Sequence, residues 1–134
     1  MIVPLLAAAL LASGGVLMAG QASAPPVFTA QQAAAGRNAY GRSCASCHMP
    51  DLGGSNDAPP LAGPLFTSTW RTRSTKDLFE YLSASMPPGG GSISTGTFES
   101  ITAYILEANG ASVGETSFRA TTAVAIRNLI AGGR

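Results

Sequence analysis

An all-α fold is what the sequence predicts, on three observations. Thr29, Ser74 and Thr97 are residues suited to capping a helix, and each precedes a stretch in which apolar side chains recur every three or four positions. No segment of useful length reads as a strand, and no internal repeat is visible. The breaks between the periodic stretches are rich in glycine and proline, 16 and 9 of the 134 residues, which supplies turns without approaching a low-complexity composition.

The first segment reads as an address rather than as part of the fold. From Ile2 to Ala19 there is no charged residue, and the run ends in Gln21-Ala22-Ser23-Ala24 before Pro25-Pro26, an apolar h-region with an Ala-x-Ala cleavage signal. Residues 1–24 are therefore expected to be a signal peptide. An uncleaved anchor is the alternative, because the apolar run is just long enough to span a bilayer. The basic start usual in such leaders is missing, the first basic residue being Arg37. Either route places the domain outside the cytoplasm, in the periplasm.

The first helix opens at Thr29 with Gln32 three residues on, a capping box with Phe28 at the staple position, and runs toward Arg42. Its small residues on one side suit a close crossing with another helix. Pro50 to Pro64 lacks periodicity and reads as a long loop wrapped around something. Ser74 with Asp77 starts a second helix, with Leu78, Phe79 and Leu82 on its apolar face, and Pro87-Pro88 forbids continuation past Met86. Thr97 caps a third, in which Phe98, Ile101, Tyr104, Ile105 and Ala108 recur at helical steps before Asn109-Gly110. Val124 to Ile130 is expected as a C-terminal helix packed back on the body. The domain proper is expected over 25–110, with 111–134 as a helical extension.

Eight basic residues face seven acidic ones, a formal net charge of +1, with no block of like charge. Nothing supplies the basic stripe that nucleic acid or an anionic membrane surface requires, so a nucleic-acid partner is excluded. Lys76 is the only lysine, and the eight basic residues are scattered among the seven acids from Arg37 to Arg134, so long-range steering of a partner is expected to be weak.

The chemistry lies in Cys44-Ala45-Ser46-Cys47-His48. On one helical turn, positions i, i+3 and i+4 share a face, so Cys44, Cys47 and His48 point the same way. Two thiols can then add across the vinyl groups of a haem while the imidazole reaches the iron, which is the attachment pattern of haem c. A thioredoxin-like pair would need a βαβ context and has no use for the histidine. Zinc would lack a fourth ligand. A disulfide three residues apart is too tight for a helix. The chain's entire stock of Cys and His falls within these five residues. For the sixth position of the iron, only Met49 and Met86 lie beyond the leader. Met49 is adjacent to His48 and cannot reach the opposite face, which leaves Met86, held extended by the following proline. A plain core methionine is the bland reading of Met86. His48 needs an acceptor for its other ring nitrogen, and a carbonyl of the Pro59-Pro60-Leu61 turn is expected, with Pro60 assigned to the cofactor's surroundings.

With these marks the sequence resembles the class I c-type cytochromes, and among them those associated with quinoprotein (PQQ-dependent) alcohol dehydrogenases. The resemblance runs from about Phe28 to Gly110. It is carried by Gln32, Gly36 and Tyr40 ahead of the motif, by Ala58-Pro59-Pro60-Leu61-Ala62-Gly63, by Phe66 and Trp70, by Met86-Pro87-Pro88-Gly89, and by Ile101 to Leu106 before Asn109-Gly110. It implies a small fold of three core helices plus a C-terminal helix around one covalently bound haem. Cys44 and Cys47 would be thioether anchors, and His48 and Met86 iron ligands. Gly36 and Tyr104 would sit where the first and third helices cross, and Trp70 would bind a propionate, its alternative being a core aromatic. The family most often has Gly where this chain has Met49. The implied function is an electron carrier, not an enzyme, taking electrons from a dehydrogenase and passing them to a terminal oxidase or another cytochrome. The alternatives are a haem sensor or peroxidase-like enzyme with a labile methionine ligand, and a fixed subunit of a dehydrogenase complex.

Overall fold

The computed structural model describes residues 24–130, so the expected leader (save Ala24) and the Gly132-Gly133 end lie outside the described residues. Among the described residues six helices follow one another: α1 (Ala30–Ser43), α2 (Ala45–His48), α3 (Pro64–Trp70), α4 (Thr75–Ser85), α5 (Thr95–Ala108) and α6 (Ile126–Leu129). Among the described residues the only β pairing is an isolated antiparallel bridge between Ser74 and Ala125. The all-α expectation holds, and no helix of the described residues is long and apolar enough to cross a membrane.

The framework is the crossing of α1 and α5. Its closest approach is at Gly36, where an added Cβ would lie 1.8 Å from the Ser100 carbonyl oxygen, so no other residue fits without moving a helix. One turn further on, the rings of Tyr40 and Tyr104 meet at 5.4 Å and 58°. α5 is buried nearly all round, through Phe98 and from Ile101 to Leu106, because α1 covers one side and α4 another. Thr102, fully buried, satisfies its hydroxyl by donating to the Phe98 carbonyl at 2.8 Å.

The caps explain where the helices begin, with two corrections. α4 has the full capping box: the Ser74 hydroxyl accepts from the Asp77 N–H, and the Asp77 carboxylate accepts from the Ser74 N–H. At α1, Thr29 accepts from the Gln32 N–H, but the Gln32 side chain does not close the box. It reaches instead to Phe118, donating to its carbonyl at 2.9 Å and accepting from its N–H at 2.7 Å. α5 is capped by Ser94 rather than Thr97, whose N–H donates to the Ser94 hydroxyl. The helix gains an exposed first turn, Thr95 to Thr97, that carries no apolar periodicity. α3 had no periodic signature either, being too short; Pro64 opens it and Phe66 and Trp70 are the residues it buries.

The expected C-terminal helix over Val124 to Ile130 is a single turn, α6. Residues 111–125 form an irregular strap whose backbone groups are used by the rest of the molecule. The Thr75 N–H donates to the Val124 carbonyl at 2.9 Å, and the Thr75 hydroxyl donates to the Thr122 carbonyl. Glu99, almost buried, accepts from the Ala120 N–H at 2.9 Å with Arg119 close by at 3.7 Å. Phe118 is fully buried against Phe79, their ring centres 6.3 Å apart, and Ile126 and Ile130 are buried too. A longer helix would have turned these backbone donors and acceptors inward on itself.

Candidate functional site

α1 ends where the motif begins. Cys44 is both the last cap of α1, its N–H donating to the Tyr40 carbonyl at 2.8 Å, and the first cap of α2. The single turn of α2 is closed by the His48 N–H on the Cys44 carbonyl at 3.0 Å. Cys44, Cys47 and His48 consequently border one cavity of about 280 Å³ with Met86, Ile101 and Ile105. The two thiols are free, Cys44 half-buried and Cys47 exposed, and burial pushes the Cys44 thiol above its ordinary value.

His48 is buried, and its Nδ1 lies 2.8 Å from the Pro59 carbonyl. A carbonyl only accepts, so Nδ1 carries the proton and Nε2 keeps its lone pair for the cavity. Of the two prolines left open by the sequence the acceptor is thus Pro59, and Pro60 lines a second cavity of about 370 Å³. His48, Pro59, Leu61, Leu82 and Met86 border both cavities, which makes them two parts of one apolar slot between α2 and the end of α4. Met86 is the last cap of α4, extended at φ −124° and ψ 142°, as a residue before proline should be.

The loop after the motif is held at both ends. The Gly54 N–H donates to the His48 carbonyl at 3.0 Å, with φ at +73° and no room for a side chain beside Pro60. Met49 also has positive φ, 66° with ψ 152°, a region costly to any residue with a Cβ. Its carbonyl accepts from the Tyr40 hydroxyl at 2.6 Å. Burial pushes the Tyr40 phenol far above its usual value, with Cys44, Tyr104 and Asp51 adding to the effect, so it stays a neutral donor. Sequence reasoning passed over Asn109 as a mere helix end. Its amide donates to the carbonyls of Leu61 and Ile105 at 2.9 and 2.8 Å, and its oxygen accepts from the Gly63 N–H at 3.0 Å. That ties the loop carrying Pro59 to α5.

At the other end of the slot Trp70 packs on Phe66 and Tyr81, at 6.3 and 5.4 Å between ring centres, with the Arg73 guanidinium 5.1 Å over its ring. Trp70, Arg73 and Tyr81 all line the second cavity. The residues present fit a haem: two unbonded thiols and an imidazole on one helical turn, a thioether beside the same slot, apolar walls, and an indole with an arginine at one end for the carboxylates.

This fold with this site defines a class I c-type cytochrome, a haem-based electron-transfer domain. The chain belongs to the family described as cytochrome c oxidase, cbb3-type, subunit III, whose model matches residues 31–105. No curated protein matches the chain. Among solved structures it is similar to the sulfane dehydrogenase SoxCD from Paracoccus pantotrophus, with 26% sequence identity and a TM-score of 0.53 over 83% of this chain. The chain spans 55% of the length of that one.

Proposed function

We propose that this chain is a periplasmic monohaem cytochrome that carries single electrons from a dehydrogenase to a terminal oxidase or another cytochrome. The observation that carries the reading is the single turn of α2, which aims Cys44, Cys47 and His48 into a slot that Met86 also borders. Cys44 and Cys47 hold the haem covalently, and His48 through Nε2 and Met86 through its sulfur ligate the iron. Bound there, the haem supplies a reversible one-electron couple between iron(III) and iron(II). Pro59 fixes the tautomer and ring plane of His48, Asn109 holds the loop that carries Pro59, and Trp70 with Arg73 receives the carboxylates. With two protein ligands on the iron there is no open position for substrate, so the role is electron transfer and not turnover. Export rests on the leader-like residues 1–24. The resemblance to cytochromes of quinoprotein alcohol dehydrogenases points to a quinoprotein donor.

A second reading, a fixed subunit of a dehydrogenase complex, is favoured by the similarity to part of a chain of SoxCD, itself a dehydrogenase. Purification from its own cells separates the two: a free shuttle elutes alone, a subunit elutes with its dehydrogenase. The cytochrome reading is tested by intact mass after acid–acetone extraction. The expected mass is that of the chain from Pro25 plus one haem, and the mass of the bare chain would overturn it. Replacing Met86 by Ala should leave the haem attached but let carbon monoxide bind the ferrous protein far faster, whereas Met49→Ala should not.

A further inference from the structure

Asn109-Gly110 reads in the sequence as a helix end, but it is also the pairing in which an asparagine side chain is most open to attack by its own backbone. Gly110 has no Cβ to shield its nitrogen; it is exposed at φ +93°, and an added Cβ would meet nothing within 4 Å. The other asparagines, Asn38, Asn56 and Asn128, precede Ala39, Asp57 and Leu129, whose side chains crowd the corresponding nitrogen. In an unfolded chain the reaction needs only water. The Gly110 nitrogen gives its proton to a solvent base and bonds to Cγ of Asn109, the Cγ–Nδ2 bond breaks, and ammonia leaves with a proton from water. Water then opens the succinimide at either carbonyl, leaving aspartate or isoaspartate, with nothing oxidised or reduced.

The fold holds every group of that reaction in place. Both hydrogens of the Asn109 amide are donated, to the carbonyls of Leu61 and Ile105 at 2.9 and 2.8 Å, and its oxygen accepts from the Gly63 N–H at 3.0 Å. The Gly110 N–H is itself engaged on the Glu107 carbonyl at 2.9 Å. With ψ of Asn109 at 14°, the Gly110 nitrogen nearly eclipses the Asn109 nitrogen, so it is turned away from Cβ and the succinimide ring cannot close. Leu61 and Gly63 belong to the loop that carries Pro59. When that loop comes away from α5 the side chain is freed, and the exposed last turn of the helix keeps only its own backbone bonds, which fray readily.

We infer that Asn109 is a self-modification site gated by the loop from Leu61 to Gly63: it deamidates in copies whose loop has opened and stays intact in copies whose loop is closed. The conversion makes the opening permanent. An aspartate only accepts, so the donors to Leu61 and Ile105 are gone and a negative charge faces two carbonyl oxygens. An isoaspartate adds a methylene to the main chain at the end of α5. Neither product ties the loop to α5 as the amide does. The gate follows from this chain's own hydrogen bonds; that the converted copies hold an iron ligand poorly, through Pro59 and His48, rests on the reading of the chain as a cytochrome.

The test follows each asparagine by peptide mapping, as the mass gain of an amide turned to acid and as isoaspartate-specific methylation, in holoprotein kept in mildly alkaline buffer with and without denaturing urea. In urea Asn109 should convert faster than Asn38, Asn56 or Asn128, and in buffer alone it should convert more slowly than in urea by about tenfold or more. Equal rates with and without urea would overturn the gate, and so would Asn56 outpacing Asn109 in urea. Leu61→Ala, a truncation of a buried side chain in the loop itself, should speed the conversion of Asn109 in buffer severalfold, whereas Ile126→Ala, a buried truncation in α6, should not. An acceleration by Leu61→Ala no greater than that by Ile126→Ala would assign the reaction to global unfolding and overturn the loop as its gate. Asn109→Asp, one of the two products, should lower the urea midpoint of the holoprotein; an unchanged midpoint would overturn the claim that conversion undoes the tie. Intact mass of the same samples reports whether haem is attached, so failure of the cytochrome reading shows separately, and the urea comparison stands without any variant.

Discussion

Met49 illustrates how one residue records a choice made around the site. Its backbone sits at φ 66°, where the resemblance leads one to expect glycine, and its carbonyl is clamped by Tyr40. Met49→Gly should therefore stabilise the protein by about 1 kcal/mol, read as a shift of the urea midpoint with unchanged slope. Asn109 makes the opposite case. Asn109→Ala removes three hydrogen bonds and frees the loop that carries Pro59, so a loss on the order of 2–3 kcal/mol is expected. The same variant should shift the reduction potential of the holoprotein, because the orientation of His48 depends on that loop. An unchanged potential would confine Asn109 to a structural role.

Among the elements, the α1–α5 crossing and the start of α4 carry the clearest consequences. Gly36→Ala places a methyl group inside the Ser100 carbonyl, so the helices must part, at a cost of about 3 kcal/mol or more. Chemical denaturation of the holoprotein checks it, and Gly41→Ala, which meets nothing within 4 Å, is the control. At α4, hydrogen bonds from Ser74 hold the Asp77 carboxyl below its ordinary value, with Lys76 and Arg73 helping. A depressed folded-state value means that the stabilisation is fully present above the unfolded value of 3.8 and is lost as pH falls through the lower folded one. Thermal melts between about pH 5 and pH 2 should fall more steeply for the unmodified protein than for Asp77→Asn. Helix existence was legible from these local signals: Ser74 with Asp77 marked the start of α4, and Pro87 marked its end. α3 and the first turn of α5 were not, because a short helix lying partly in solvent needs no apolar repeat.

At the scale of the whole molecule the C-terminal strap ties three helices together. It occupies the Gln32 side chain on α1, Thr75 on α4 and Glu99 on α5, and seats Phe118 against Phe79. A chain ending at Gly110 should keep its haem, since the matched family model stops at residue 105. It should nonetheless lose several kcal/mol of stability, because an aromatic residue leaves the core and buried polar groups lose their partners. Urea titration followed by the Soret band measures both outcomes.

The sequence by itself determined the attachment chemistry and the local geometry that serves it. Cys44, Cys47 and His48 share a face because one helical turn has fixed dimensions, and Met86 is extended because proline restricts the residue before it. Such constraints act within a few bonds and survive any tertiary arrangement. The tertiary structure alone decided that the carbonyl of Pro59 and not that of Pro60 accepts from the His48 Nδ1–H, that Gln32 answers Phe118 rather than its own cap, and that the Arg127 N–H meets the Arg71 carbonyl. Each of these is a contact between groups with several chemically equivalent candidates in the chain. Which one forms depends on the packing of α1, α4, α5 and the strap as a whole, where small differences summed over the core select one partner and no local pattern announces it.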